Sequence, residues 1–235
     1  MAGKPIYRVA QARLRDYIRE HGLVPGDRLP SEAVLAAELG VSRLSLREAT
    51  RSLQTLGVIE AQHGNGLFVA EFSFRPVIEQ LPYGLADSAR AIDEILTARE
   101  AMEVGLMPAV ARSEDHGALE RCAEIAREMI EIEKRGETFV ELDAEFHRAL
   151  YSGLRNPLVD NLIELFWNLF GELFHRAGAA MPGGPSRDRG LVHLRIVEAL
   201  QARDPELAMQ RMREHFEDLR MRAELIARAQ REGEQ

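Results

Sequence analysis

Four residues in the C-terminal half of the chain combine metal-ligand chemistry with helical spacing. Asp143 and His147 are four apart, so a helix projects both from one face, with Phe146 and Leu150 beside them. His193 falls in register with Ile196, Val197 and Leu200, and His215 sits among Met212, Phe216 and Leu219. Each stripe is apolar and should turn inward, where a polar group is costly unless it is paired or bound to something. One carboxylate and three imidazoles form a borderline donor set, suited first to Zn²⁺ and also to Ni²⁺, Mn²⁺ or Fe²⁺. Two plainer readings fit the same spacing: hydrogen-bonded core histidines, or an Asp–His pair that satisfies itself. Arg99 shares a stripe with Ile95, Leu96, Met102 and Leu106. An inward guanidinium could clamp a ligand carboxylate with two parallel N–H donors, or pair structurally with Glu103 four residues on.

A second group lies near the N-terminus. Arg43, Arg47 and Arg51 recur at steps of four and share one helix face, while Leu46, Ala49, Thr50 and Leu53 fall on another. The short Gly40-Val41-Ser42 turn before them is the kind that presents a recognition helix to the major groove, where an arginine fork can donate to both guanine acceptors. Ser31, Ser42 and nearby helix N-termini could position phosphates. Three arginines on one face are equally what a solvated surface looks like.

The elements that must hold these groups follow from pattern and punctuation. A helix is expected from about Ile6 to His21, with Val9, Leu14, Tyr17 and Ile18 as its apolar positions. Ser31 and Ser42 can cap two more, the first through Val34, Leu35 and Leu39, the second from about Arg43 to Leu56. Val58-Ile59 and Leu67-Phe68-Val69 flank His63-Gly64-Asn65-Gly66, a hairpin signal whose tip, His63 and Gly64, could approach a minor groove. Residues 71–90 mix Pro76, Pro82 and Gly84 and read as a linker. Helices are then expected over 91–112, 115–135, 137–153, 156–180, 187–203 and 205–230, separated by polar or Gly/Pro breaks. The spacing implies a mainly α chain. It places a winged helix-turn-helix (three helices and a β-hairpin wing) at 1–70, and an all-α antiparallel helical bundle at 91–230.

Bulk properties bound the function. No run approaches the roughly 18 apolar residues of a membrane span. The N-terminus lacks an apolar signal core, and Cys122 is the only cysteine, so a reducing cytoplasm fits. The net charge of −8 argues against a nucleic-acid partner until the chain is divided: residues 1–70 carry +2 and residues 71–235 carry −10. That asymmetry suits a DNA-reading head on an acidic body.

Residues 22–69 resemble the winged helix-turn-helix of the GntR family of bacterial regulators. The match runs through Pro25-Gly26-Asp27-Arg28-Leu29-Pro30-Ser31-Glu32, Gly40-Val41-Ser42-Arg43, Leu46-Arg47-Glu48-Ala49 and Gly64-Asn65-Gly66-Leu67-Phe68-Val69. The resemblance implies that Arg43 and Arg47 contact guanines, that Ser45 contacts backbone or base, and that His63 and Gly64 enter the minor groove. Many members carry Arg where this chain has Ala33, which removes one base contact and leaves the operator sequence open. Residues 90–222 in turn resemble the FCD ligand-binding domain of the FadR subfamily, through Arg99, Glu103, Asp143-x-x-Phe146-His147, Asn156-Pro157, His193-x-x-Ile196-Val197-x-Ala199-Leu200, Asp204, Ala208, Met212 and His215. It implies that Asp143, His147, His193 and His215 hold a divalent metal beside which a small organic acid binds, and it disfavours an acyl-CoA effector. Trp167, Asn168 and His175 are further candidates for the pocket wall. The expectation is a homodimeric, non-enzymatic repressor of a palindromic DNA operator. The alternatives are a metal-dependent hydrolase or lyase with an appended DNA module, and a regulator whose metal is purely structural.

Overall fold

Leu14, Leu35, Leu46, Leu53, Ile59 and Val69 recur where helical and strand periodicities demand, and they come together as the core of an N-terminal unit. The computed structural model describes residues 6–74, 76, 88–113, 115–176 and 188–233. It divides the chain into two units, Met1–Glu79 and Gln80–Gln235. The linker expected at 71–90 falls mostly outside the described residues, as does the end of the helix expected to reach 180.

The first unit contains α1 (Ile6–Glu20), α2 (Glu32–Glu38) and α3 (Arg43–Thr55), then β1 (Ile59–Gln62) and β2 (Gly66–Val69). Ser31 and Ser42 are the N-caps: the Val34 N–H donates to Ser31 Oγ at 3.4 Å and the Ser45 N–H to Ser42 Oγ at 3.1 Å. Gly40, at φ +61°, makes the turn between α2 and α3, a conformation that costs a side-chain-bearing residue energy. Arg13 of α1 closes that turn by donating to the carbonyls of Leu39 and Gly40. The Gln11 amide donates to Ser52 Oγ, so polar ties as well as leucines fix α3 against α1. The strands pair antiparallel with Ile59 opposite Val69. Residues 26–29, between α1 and α2, also hydrogen-bond along β2, through Gly26 N–H to Val69 O and Leu29 N–H to Leu67 O. Val9 and Val34 are exposed at 36% and 45%, not core residues as their periodicity suggested.

The second unit contains α4 (Ser88–Arg112), α5 (His116–Lys134), α6 (Val140–Ser152), α7 (Pro157–Arg176), α8 (Arg189–Gln201) and α9 (Pro205–Gly233). The helices neighbour one another in a closed circuit, α4–α7–α6–α5–α8–α9 and back to α4. Their apolar stripes fill the middle with Leu96, Met107, Ile125, Met129, Phe146, Leu150, Ile163, Phe170, Ile196, Leu200, Met212 and Phe216. Gly190 sets the approach of α8 to α5: a Cβ there would lie 2.6 Å from the Ile130 backbone nitrogen, closer than two such atoms can sit. Cys122 is packed on α5 with its thiol pushed up to about 12 by burial, which leaves it unreactive. Among the described residues no helix is long and apolar enough to cross a membrane.

Candidate functional site

The N-terminal unit shows an arginine face on α3. Leu46, Ala49, Thr50 and Leu53 are buried, which turns Arg43, Arg47 and Arg51 outward, and all three are exposed. Thr50 Oγ1 is within hydrogen-bond distance of Glu32 Oε1 at 3.1 Å and of the Arg47 carbonyl at 3.0 Å, which bears on the roll of α3 against α2. Ser42 Oγ and Ser45 Oγ lie 2.8 Å apart at the N-terminus of α3, a hydroxyl pair beside the helix N–H groups that attract phosphate. His63 and Gly64 occupy the exposed hairpin tip. Leu44 is 69% exposed on the first turn of α3, an apolar group suited to a thymine methyl that periodicity gives no reason to single out.

In the second unit the sequence-selected donors converge. Asp143, His147, His193 and His215 each offer one ligand atom, and the four atoms lie within 4.8 Å of one another. Ligands about 2.1 Å from one cation lie roughly 3–4.2 Å apart, so closing on an ion needs only small adjustments. All four residues are buried.

Hydrogen-bond chemistry fixes which ring atoms face the centre. His193 Nδ1 lies 2.9 Å from the Arg189 carbonyl, an acceptor only, so Nδ1 carries the proton. Nε2 of a neutral His193 is then a lone pair, yet it faces Asp143 Oδ1 at 3.0 Å. Two acceptors at that distance need a shared positive charge, a ring proton or a metal ion. His147 repeats the pattern: Nδ1 donates to Glu103 Oε2 at 2.5 Å, and Nε2, 3.5 Å from Asp143 Oδ1, has no hydrogen-bond partner. His215 Nε2 is likewise buried without a partner. The donor set and these orphaned nitrogens fit a divalent cation.

Titration follows the same wiring. Burial pushes the Asp143 carboxyl upward, but His193 and His147 outweigh it and hold it well below the usual carboxylate range. Burial also opposes charge on Glu103, yet His147 and Arg99 hold it at about 2. His147 is raised despite burial because Glu103 and Asp143 favour its protonated form. His215 is driven well below the ordinary histidine value by burial and by the other two imidazoles, so it stays neutral.

Arg99 makes the pair with Glu103 that its spacing allowed and has donors left over. It is 0% exposed; its Nε donates to Glu103 Oε1 at 2.9 Å, while its two terminal nitrogens are buried without partners. Its guanidinium carbon lies 4.6 Å from the centre of the Trp167 ring. Arg99, Trp167, His215 and Asp143 line one small cavity. Asn168 instead is exposed and donates to Glu164, so it does not form the wall; the His175 side chain lies outside the described residues. Glu103 gains a role that spacing could not show, as the group that orients His147 from 44 residues away.

Comparison with known proteins agrees with this architecture. A sequence model of bacterial regulatory proteins of the gntR family matches residues 6–69, and one of the FCD domain matches residues 94–218. The chain is 31% identical over 200 residues to the uncharacterized HTH-type transcriptional regulator YcbG of Bacillus subtilis, covering 83% of this chain and 80% of that protein. It is 32% identical over 146 residues to the HTH-type transcriptional regulator LutR of the same organism, covering 62% and 67%. It is 27% identical to the HTH-type transcriptional repressor NanR of Salmonella newport, covering 92% and 84%. A solved Streptococcus agalactiae GntR structure has the same fold, with a TM-score of 0.71 over 92% of this chain and 99% of that one, at 24% identity.

Proposed function

Because the chain belongs to the GntR family of bacterial regulators, in its FadR subfamily with an FCD domain, we propose that it is a cytoplasmic repressor released from DNA by a small organic acid. A homodimer would present two α3 helices to the half-sites of a palindromic operator. Arg43, Arg47 and Arg51 would read or flank guanines, Ser31, Ser42 and Ser45 would hold phosphates, and His63 and Gly64 would enter the minor groove. Asp143, His147, His193 and His215 would hold a divalent metal, Zn²⁺ first. When bound, that ion supplies a Lewis-acid centre attractive to a carboxylate.

One observation carries the sensing half. The two terminal nitrogens of Arg99 are fully buried donors with no acceptor, on a cavity also lined by Asp143 and His215 of the four-residue cluster. A buried guanidinium leaves N–H groups unpaired only at substantial cost, so the pocket is built for an anion that arrives. Glu103, already accepting from Arg99 and His147, is not free to act as a general base. That favours binding over hydrolysis.

The test is fluorescence anisotropy of the metal-loaded chain on DNA upstream of its own gene, with a panel of small carboxylates. At least one acid should weaken specific binding, and chelation should abolish its effect. Absence of specific binding would end the repressor reading; binding indifferent to every acid and to chelation would end the sensing reading.

A further inference from the structure

The histidine pocket contains a second guanidinium that spacing did not single out. Arg189, the first residue of α8, is 4% exposed and lines the same cavity as Arg99. Its Nε is buried without a hydrogen-bond partner, and its nearest carboxylate contact is long, 3.8 Å from NH2 to Asp143 Oδ2. The guanidinium carbon sits 4.2 Å from the centre of the Phe139 ring, so an aromatic face covers one side of the group, as Trp167 covers Arg99. A stacked guanidinium keeps its edge N–H groups for in-plane acceptors. The backbone beneath it is fixed from α5: Glu133 accepts from the N–H groups of Arg189 and Gly190, capping α8 where Asp188 makes no side-chain cap.

Charge sharpens the point. Inside the pocket Glu103 balances Arg99 and Asp143 balances Arg189. Burial first and Arg222 second lower the Arg189 pKa, and Arg222 has its own carboxylate in Asp218 at 2.8 Å. A divalent cation held by the four ligands therefore leaves the buried groups of the site with an excess of positive charge, offset in part by half-buried Glu133 at the start of α8, and uncompensated buried charge is expensive. Two separate guanidiniums keep unpaired donors on this one cavity, and a single carboxylate has only one pair of oxygens to offer.

Resting on the acid-sensing reading above, we infer that Arg189 is a second anion-binding group of the effector pocket and that the effector is a small dianionic acid. One carboxylate answers Arg99 and the histidine cluster, and the other answers Arg189. Selection among acids then depends on charge number as well as size, and Arg189 sets that selection.

The experiment compares acids of near-equal size that differ by one charge: malonate against monomethyl malonate, and succinate against monomethyl succinate. Calorimetry on the metal-loaded full chain, with metal content measured beforehand, gives each affinity. Charge-assisted hydrogen bonds predict that at least one diacid binds about tenfold or more tighter than its monoester. Arg189→Gln, with its metal content measured in the same way, should bring the diacid-to-monoester affinity ratio to about one, and Arg189→Lys should keep part of the preference. Equal binding of diacid and monoester by the wild type, or an unchanged ratio in Arg189→Gln, overturns the inference and leaves the sensing reading standing. Wild type that binds neither kind of acid overturns the sensing reading, and this inference falls with it.

Discussion

Replacing Glu103 with glutamine is the most discriminating single change in the second unit. The carboxylate is 0% exposed and accepts from Arg99 Nε at 2.9 Å and from His147 Nδ1 at 2.5 Å. Glutamine keeps the shape but removes the charge that both partners answer. Removing one member of a buried ion pair typically costs about 3–5 kcal/mol, because the partner charge stays buried. Holding Glu103 at about 2 against its ordinary 4.5 independently corresponds to about 3 kcal/mol. The two routes agree, so metal-free Glu103→Gln should lose about 3 kcal/mol at pH 7 by urea denaturation of the C-terminal transition. Its sign with pH is fixed. A depressed folded-state value means the stabilisation is complete above about 4.5 and fades as pH falls toward about 2, so the gap between wild type and variant should narrow over that range. Metal affinity should fall about 10–100-fold as His147 loses its orienting acceptor. Because Arg99 is the other partner, Arg99→Met in the Glu103→Gln background should recover part of the loss. A coupling below about 0.5 kcal/mol in that double-mutant cycle, with unchanged metal affinity, would refute the reasoning.

Three further outcomes follow from the geometry. Arg47→Ala should abolish specific operator binding by mobility shift while metal content by elemental analysis stays intact; lost metal would show that the two units do not act independently. His193→Ala should reduce metal occupancy sharply in a variant shown to be folded by circular dichroism, and unchanged occupancy would remove His193 from the ligand set. Gly190→Ala should cost about 1–3 kcal/mol in thermal or urea denaturation, since its Cβ would meet the Ile130 backbone; a neutral result would mean that α8 can slide freely on α5.

The four clustered donors were legible because they lie on strong helical stripes. Phe146 and Leu150 fix the inward face that carries Asp143 and His147, and Ile196, Val197 and Leu200 do the same for His193. The wiring between helices was not legible. Glu103 and His147 meet across 44 positions, and no periodicity within α4 or α6 encodes that distance. Arg189 follows a Pro/Gly-rich break, so it has no apolar neighbours before it to establish a stripe. Its one signal was the four-residue step to His193, the same step that joins Asp143 to His147. Asn168 shows the converse error: it adjoins Trp167 in sequence, but one residue along a helix turns about 100° and carries it to solvent. In the N-terminal unit, nothing in the short stretch after Pro25-Gly26 marks Arg28 and Leu29 as strand partners. Their pairing with β2 depends on the return of a strand some forty residues later.

On the proposed sensing reading, the cluster also bounds how strongly an acid can act on DNA affinity. Its ligands come from α6, α8 and α9, and Glu103 adds α4, so occupancy ties four helices of the bundle to one point. An effector can weaken operator binding only by as much as it prefers the DNA-incompetent state. A hundredfold loss requires about 2.7 kcal/mol of preference, within reach of one or two charge-assisted hydrogen bonds to the unpaired Arg99 nitrogens. Linkage then demands symmetry: operator DNA must weaken effector binding by the same factor. Effector affinity measured with and without saturating operator should differ by the factor seen in the reverse experiment. An effector that releases DNA while its own affinity is blind to DNA would mean that release comes from a site other than this one.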